Sequence, residues 1–357
     1  MSQKENTMNP FSICLIAKNE EKRIERCLAA ASKLDAEIVL VDTGSTDRTK
    51  ELAAKYTDKI YDFEWCNDFS AARNFSISKA TNDWILVLDC DEYVEDFDIS
   101  QIKDFMDPVF YHYVGLILRR NQMNNSEACM DDWVERFFYR KNFHYEGIIH
   151  EQVRDNRGCD IARCEVPITV FHDGYVGTPE SLKKKAIRNE TLLLEMLKKE
   201  PDNTYIYHQL GQSASLADEP ERAVEYYEKG LSYNPDPQLF HAQLMTVAYG
   251  ETLLALGRNE DALKLKEFYN DYEYIADFLC LMGLIYIKNN QPYNAILEFL
   301  KAISAKEHWR EDTTNTFPRY HIGLIYEAMG DLKNACAFFL SCGDYEPAKK
   351  KLAQYGL

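Results

Sequence analysis

Several things are missing from this sequence, and each absence removes a class of protein. No GxGxxG follows the first apolar run and no GxxxxGK[ST] occurs anywhere, so a dinucleotide-binding turn and a P-loop lose most of their support. No run reaches the eighteen or more apolar residues of a helical membrane span. The first ten residues include Lys4, Glu5, Asn6 and Pro10 and have no apolar centre of the kind a secretory signal needs. A flexible N-terminus over residues 1–10 is therefore expected. The ten cysteines are scattered singly, none in CxxC, and Cys14 and Cys280 fall inside apolar runs. Free, mostly buried thiols in a reducing cytoplasm fit that pattern. Positive charge is in deficit as well: a formal net charge of −17 argues against nucleic acid or an anionic membrane as partner, despite local groups such as Lys183 to Lys185.

What is present begins with alternation. At 357 residues the chain has room for two domains, each with its own core. Phe11 to Ala17 reads as a buried strand, followed by a helical stretch from Glu21 to Ser32 with Ile24, Cys27 and Leu28 on one face. A second strand, Glu37 to Val41, runs into Asp42-Thr43-Gly44-Ser45-Thr46-Asp47, where Gly44 permits a tight turn and Thr46 or Asp47 can cap the next helix. Lys59 to Asp62 is a third strand, Asp68 to Lys79 a third helix and Trp84 to Leu88 a fourth strand. Four such alternations call for a mostly parallel, Rossmann-like α/β sheet with right-handed crossovers.

The fourth strand ends in two aspartates, WILVLDCDE, with Asp89 and Asp91 one residue apart. Burying carboxylates without partners costs several kcal/mol, about 2–7 for a polar group and more for a charge. They therefore belong at the mouth of the strand, where open α/β sheets bind ligands and where paired oxygens suit Mg²⁺ or Mn²⁺. The same edge should carry Asn19, Glu20, Asp42 and Ser45. An acid at the end of the second strand is placed to accept hydrogen bonds from a ribose or a base N–H.

KNEEKRIERCL, VDTGSTDRT, DFSAARN and WILVLDCDE, in that order over residues 11 to 92, resemble the opening of family 2 glycosyltransferases with the GT-A fold. The resemblance implies a nucleoside-diphosphate sugar over these strand ends, with UDP-glucose or UDP-N-acetylglucosamine as leading donors. It also implies roles residue by residue: Asp42 at the uridine, Arg73 and Asn74 in the nucleotide pocket, Asp89 at the ribose or metal, and Asp91 at the metal. Downstream, Val114 to Arg119 and Trp133 to Tyr139 read as antiparallel additions to the sheet. FHYEGIIHEQV and ITVFHDGY then each place a histidine beside an acid, His150-Glu151 and His172-Asp173. Transfer with inversion needs a base for the acceptor proton and a cation for the departing diphosphate. Chain order in related enzymes implies Glu151 as base and His172 as a third metal ligand, with Asp132 or Asp173 as alternative bases. Arg136 and Arg140 could reach the diphosphate bidentately. WCNDFSAARN, RFFYR, HYEGIIHE and VFHDGY are similar to the subgroup with a helical tail that contains the sublancin-type peptide S-glycosyltransferases, while a QxxRW motif is absent.

From Glu180 onward the pattern turns helical. A long helix, Glu180 to Lys199, carries Leu192, Leu193, Met196 and Leu197 on its apolar side. Gly211, Gly250, Gly283 and Gly323 each precede an alanine by twelve residues, and seven residues after each comes a turn residue: Asp218, Gly257, Asn290 and Gly330. The glycines lie 39, 33 and 40 residues apart, which straddles the 34-residue period of tetratricopeptide repeats, and a helix from Glu346 to Tyr355 could cap the array. The expected organisation is a GT-A domain over residues 11–177, a connecting helix over 178–200 and an all-α repeat solenoid over 201–357. The expected function is an inverting, Mn²⁺- or Mg²⁺-dependent transferase whose repeats meet a protein or peptide acceptor, another partner or a second copy of the chain. A nucleotide-binding scaffold without turnover, or a transferase acting on a cell-envelope glycan, are the alternatives.

Overall fold

Short apolar runs flanked by helix signals become the strands of one sheet. The computed structural model describes residues 10–122, 129–173 and 179–356, so the expectations for residues 1–9 and for the segment 174–178 fall outside the described residues. The chain divides into two units, Met1–Leu182 and Lys183–Leu357.

In the first unit, β1 (Ser12–Ala17), α1 (Ile24–Ala31), β2 (Glu37–Asp42), α2 (Thr49–Ala53), β3 (Ile60–Asp62), α3 (Phe69–Lys79) and β4 (Trp84–Val87) follow the alternation read from the sequence. Then come β5 (Glu92–Phe97), α4 (Ile99–Phe105), β6 (Tyr113–Gln122), β7 (Cys129–Tyr139), β8 (Phe143–Glu146), β9 (Gln152–Asp155) and β10 (Ala162–His172). Eight strands form one sheet in the order β3-β2-β1-β4-β7-β6-β10-β5, and β8 and β9 form a separate hairpin. β1 lies parallel between β2 and β4, with Ala17 opposite Asp42 and Cys14 opposite Val87. β7 runs antiparallel to β4 and β6 antiparallel to β7, so β6 and its parallel neighbour β10 end at the same edge as β4. That shared edge is where the chemistry collects. β1, β2 and β4 are buried on both faces, as strands of a covered parallel sheet must be.

The opposite edge holds a buried acid. Glu37, at the start of β2, accepts hydrogen bonds from Ser12 Oγ, Lys59 Nζ, Thr81 N (2.8 Å) and Thr81 Oγ1 (2.9 Å). Burial alone would raise its pKa, but Lys59 and these donors outweigh it and hold the carboxyl down at about 2. The charged form is favoured in the fold, so this stability is complete above the ordinary glutamate range and is lost as pH falls through the depressed value. Glu37→Gln should remove about 3 kcal/mol of pH-dependent stability between roughly pH 5 and pH 2. Urea unfolding of both proteins across that window measures it, and parallel pH profiles would refute it.

The second unit is helical. α5 (Pro179–Lys199) spans the division between units and is followed by pairs: α6 (Thr204–Leu216) with α7 (Pro220–Leu231), then α8 (Phe240–Ala255) with the short α9 (Asn259–Ala262) and α10 (Tyr269–Tyr272). α11 (Ala276–Lys288) pairs with α12 (Pro292–Ser304), α13 (Thr316–Ala328) with α14 (Leu332–Leu340), and α15 (Glu346–Gln354) ends the array. Each turn residue foreseen from the spacing has positive φ: Asp218 61°, Gly257 71°, Asn290 55° and Gly330 79°. The repeat glycines make room for large side chains. A Cβ on Gly283 would sit 2.6 Å from the Phe299 ring and one on Gly323 2.5 Å from Phe339, while Gly211 faces Tyr227 in the same way. Tyr207 and Tyr227 are buried, so they pack between helices. Gly283→Ala should cost about 1–3 kcal/mol through overpacking despite alanine's better helix propensity. Urea denaturation decides the sign.

The 40-residue spacing accommodates residues 305–315, which cross back over α11. Ala276 N donates to Glu307 O (2.9 Å), and the fully buried Asp277 accepts from Trp309 N (3.0 Å) and Arg310 Nε (2.7 Å). Arg310 also reaches Glu251 on α8 (2.9 Å). Among the described residues no helix is long and apolar enough to cross a membrane, and nine of the ten cysteines, Cys14 and Cys280 among them, are free thiols. Burial pushes the thiols of Cys14, Cys27, Cys90 and Cys280 above their ordinary pKa, which suits inert packing.

Candidate active site

The loops after β1 and β2 are stitched together by the residues singled out there. Asn19 takes a left-handed φ of 57°, its N–H donates to Ser45 Oγ (2.9 Å), and its Oδ1 accepts from Thr46 N (2.8 Å). Glu20 N donates to Thr49 Oγ1 (2.7 Å). Asp42, only 2% exposed, accepts from Gly44 N (3.0 Å) and Ser45 N (2.9 Å) through Oδ1, which is the geometry of an Asx turn. Its Oδ2 is buried and has no hydrogen-bond partner among the described residues. A buried carboxylate oxygen without a donor is costly in a finished fold, so this atom fits one that waits for a ligand donor.

At the end of β4, Asp89 sits between two buried arginines. Arg73 Nη2 donates to Oδ1 (2.6 Å) and Arg136 Nη2 to Oδ2 (2.7 Å). Burial works against its charge, yet the two guanidinium groups hold its carboxyl far below the ordinary range. Arg136 also meets the fully buried Glu92 (3.0 Å), whose Oε2 accepts from Asp89 N (3.0 Å). Burial, with the Asp89 charge beside it, raises the pKa of Glu92 against the pull of Arg136. Asp89 was expected at the ribose or the metal, and here each of its oxygens accepts from an arginine. Arg136, expected at the diphosphate, instead serves Asp89 and Glu92 through Nη2.

Asp91 and His172 do come together, from the ends of β4 and β10, with Asp91 Oδ2 and His172 Nε2 3.5 Å apart. Two cis ligands on an octahedral cation at about 2.1 Å stand about 3 Å from each other, so the pair fits a half-site with slight closure. Among the described residues no cluster of three or more His, Cys, Asp and Glu is arranged around a metal position, so the expected triad reduces to these two donors. His172 Nδ1 lies 2.8 Å from Asn121 Oδ1, and Asn121 Nδ2 donates to Asp132 Oδ1 (2.9 Å). Asp132 is in turn gripped by Arg119 through Nε (3.0 Å) and Nη2 (2.7 Å), which hold its carboxyl below the ordinary range against the effect of burial.

FHYEGIIHEQV, read as one stretch, splits into β8 and β9 around Gly147, whose φ is 100°. Glu151 thereby arrives just before β9, where Arg73 Nε donates to its Oε1. Arg73 Nη1 is buried without a partner among the described residues, so this side chain joins Asp89 and Glu151 and still has a donor to spend. The alternative bases are more fully engaged: Asp132 by Arg119 and Asn121, and Asp173 by Arg23 (3.1 Å) and Arg26. Asn74, expected in the nucleotide pocket, spends both ends of its amide on Tyr145, donating to its O (2.8 Å) and accepting from its N (2.9 Å). It therefore clamps the hairpin to α3. Arg140, likewise offered to the diphosphate, bonds Ala80 O (2.8 Å) and Ile77 O (3.1 Å) instead. Sequence reasoning missed Glu92, Arg119 and Asn121. Glu92 was within view as the last letter of WILVLDCDE, whereas nothing in LRRNQ marks Asn121.

Residues 12–162 match the family described as Glycosyl transferase family 2, and residues 204–237, 276–308 and 319–349 match the tetratricopeptide repeat. The first unit thus resembles family 2 glycosyltransferases and the second resembles tetratricopeptide repeats. The repeat matches coincide with three of the four glycine-led helix pairs, and the remaining pair is the one whose second helix is interrupted. A TPR repeat-containing protein of Synechococcus elongatus is 27% identical over 72% of this chain and 66% of its own length. The SPbeta prophage-derived glycosyltransferase SunS of Bacillus subtilis is 28% identical over 64% of this chain and 55% of its own. This chain therefore spans just over half to about two thirds of these curated relatives. Among solved structures, MamA is similar over 51% of this chain and 99% of its own, at 20% identity and a TM-score of 0.39.

Proposed function

We propose that this chain, whose first unit matches family 2 glycosyltransferases and whose second is a repeat array, is an inverting, metal-dependent transferase moving a sugar from a nucleoside-diphosphate donor to an acceptor. The observation that carries the reading is the rim of the parallel sheet, where the orphaned Asp42 Oδ2 and the Asp91–His172 pair share one edge. Asp42 Oδ2 accepts from a base N–H, which suits uracil and hence UDP-glucose or UDP-N-acetylglucosamine as donor. Arg73 orders the site by holding Asp89 and Glu151, and its Nη1 is a spare donor for the bound nucleotide. Asp91 and His172 would hold Mn²⁺ or Mg²⁺, which when bound stabilises the charge of the departing nucleoside diphosphate. Glu151 takes the acceptor proton through Oε2. The acceptor is a protein or peptide side chain brought in by the repeats, since stacked helix pairs offer an extended surface.

The test is release of nucleoside diphosphate from a panel of nucleotide sugars, with and without Mn²⁺, on the full chain. Turnover that needs the cation and peaks with one UDP-sugar is the expected result. Nucleotide binding with no turnover of any donor would leave a nucleotide-binding scaffold.

A further inference from the structure

We infer that Asn121 is a positioning residue that fixes the tautomer of His172 and so prepares Nε2 to bind the cation. The inference rests on the cation reading of Asp91 and His172 given above. An ionised carboxylate can only accept hydrogen bonds, so the 2.9 Å contact between Asn121 and Asp132 Oδ1 must use the Asn121 Nδ2 donor. A flipped amide would set its carbonyl against the carboxylate. Asp132 is itself locked in the charged form by the two-point grip of Arg119. With Nδ2 spent there, Asn121 Oδ1 is what faces His172 Nδ1 at 2.8 Å, and that nitrogen must carry the proton. A neutral imidazole with its proton on Nδ1 has its lone pair on Nε2, the atom that lies 3.5 Å from Asp91 Oδ2.

Order therefore passes along one line of contacts, from Arg119 to Asp132 to Asn121 to His172. β6 supplies Arg119 and Asn121, β7 supplies Asp132 and β10 supplies His172, and the three strands are neighbours in the sheet with Asn121 opposite His172 in register. Asn121 is 3% exposed, so no water competes freely for these bonds. Without its acceptor, His172 would populate the other tautomer, whose Nε2 carries a proton and cannot bind a metal.

Mn²⁺ binding to the full chain, read from the electron paramagnetic resonance of the unbound ion, tests this apart from activity. Asn121→Ala should weaken Mn²⁺ binding about 10- to 100-fold, the usual cost of losing such a support. In a His172→Ala background the same change should cost nothing further, because its whole effect passes through the imidazole. The reciprocal pair Asn121→Asp with Asp132→Asn keeps an acceptor opposite His172 Nδ1 and a donor between positions 121 and 132, and should restore most of the affinity, even if Asn121→Ala fails to fold. Wild-type affinity in Asn121→Ala, a loss that multiplies with that of His172→Ala, or no rescue by a folded reciprocal pair overturns the inference. Should His172→Ala itself bind Mn²⁺ normally, the cation assignment fails and this inference falls with it.

Discussion

Asp91→Ala is expected to lower metal-dependent donor turnover by about 10³-fold or more, since a catalytic cation contributes several kcal/mol of charge stabilisation. The fold should survive the change. Asp91 is partly exposed and faces His172, and its removal, unlike that of Asp89, strands no pair of buried guanidinium groups. Nucleoside diphosphate release at saturating Mn²⁺, together with the melting temperature, reads both halves of the prediction. Full turnover in this variant would take the cation away from Asp91 and with it the main support for the functional reading.

Glu151→Gln should retain donor binding and lose transfer by about 10²-fold or more, the lower end of what a positioned base contributes. Glutamine keeps an oxygen for Arg73 Nε, so the contact that orients the side chain persists while the oxygen that takes a proton is gone. Near-normal transfer would return the search to Asp132 and Asp173 despite the arginines that hold them.

The parts of this molecule that could be read in advance are those whose cause is local. A run such as SICLIA or WILV is a buried strand because nearly every residue is apolar, and β1 and β4 appear where expected. The repeat glycines and their turn residues were legible from spacing alone, because a close helix approach and a left-handed turn each demand a particular residue type. β5 was not legible: EYVEDF is rich in acids, and it becomes a strand by pairing with β10. The hairpin of β8 and β9 was hidden for a related reason, since Gly147 breaks a stretch that otherwise looks continuous.

The charged residues divide in the same way. That Asp89 and Asp91 end a strand follows from the cost of burying a carboxylate. Their differing fates do not follow from sequence, because Asp89 is claimed by Arg73 and by Arg136 from strands and helices far along the chain. Asn74 and Asn121 show the same limit. One clamps a hairpin backbone and the other faces a histidine, and the difference lies wholly in what the fold brings opposite them.

The strap of residues 305–315 has a bearing on how the array holds together. The second helix of its second pair is broken into α9 and α10, which in a chain of nearest-neighbour units is where unzipping would begin. Arg310 acts as a rivet across that fault, joining Glu251 on one side to the buried Asp277 on the other. The insertion that spoils the repeat's regular spacing thus adds a tie across the interrupted pair.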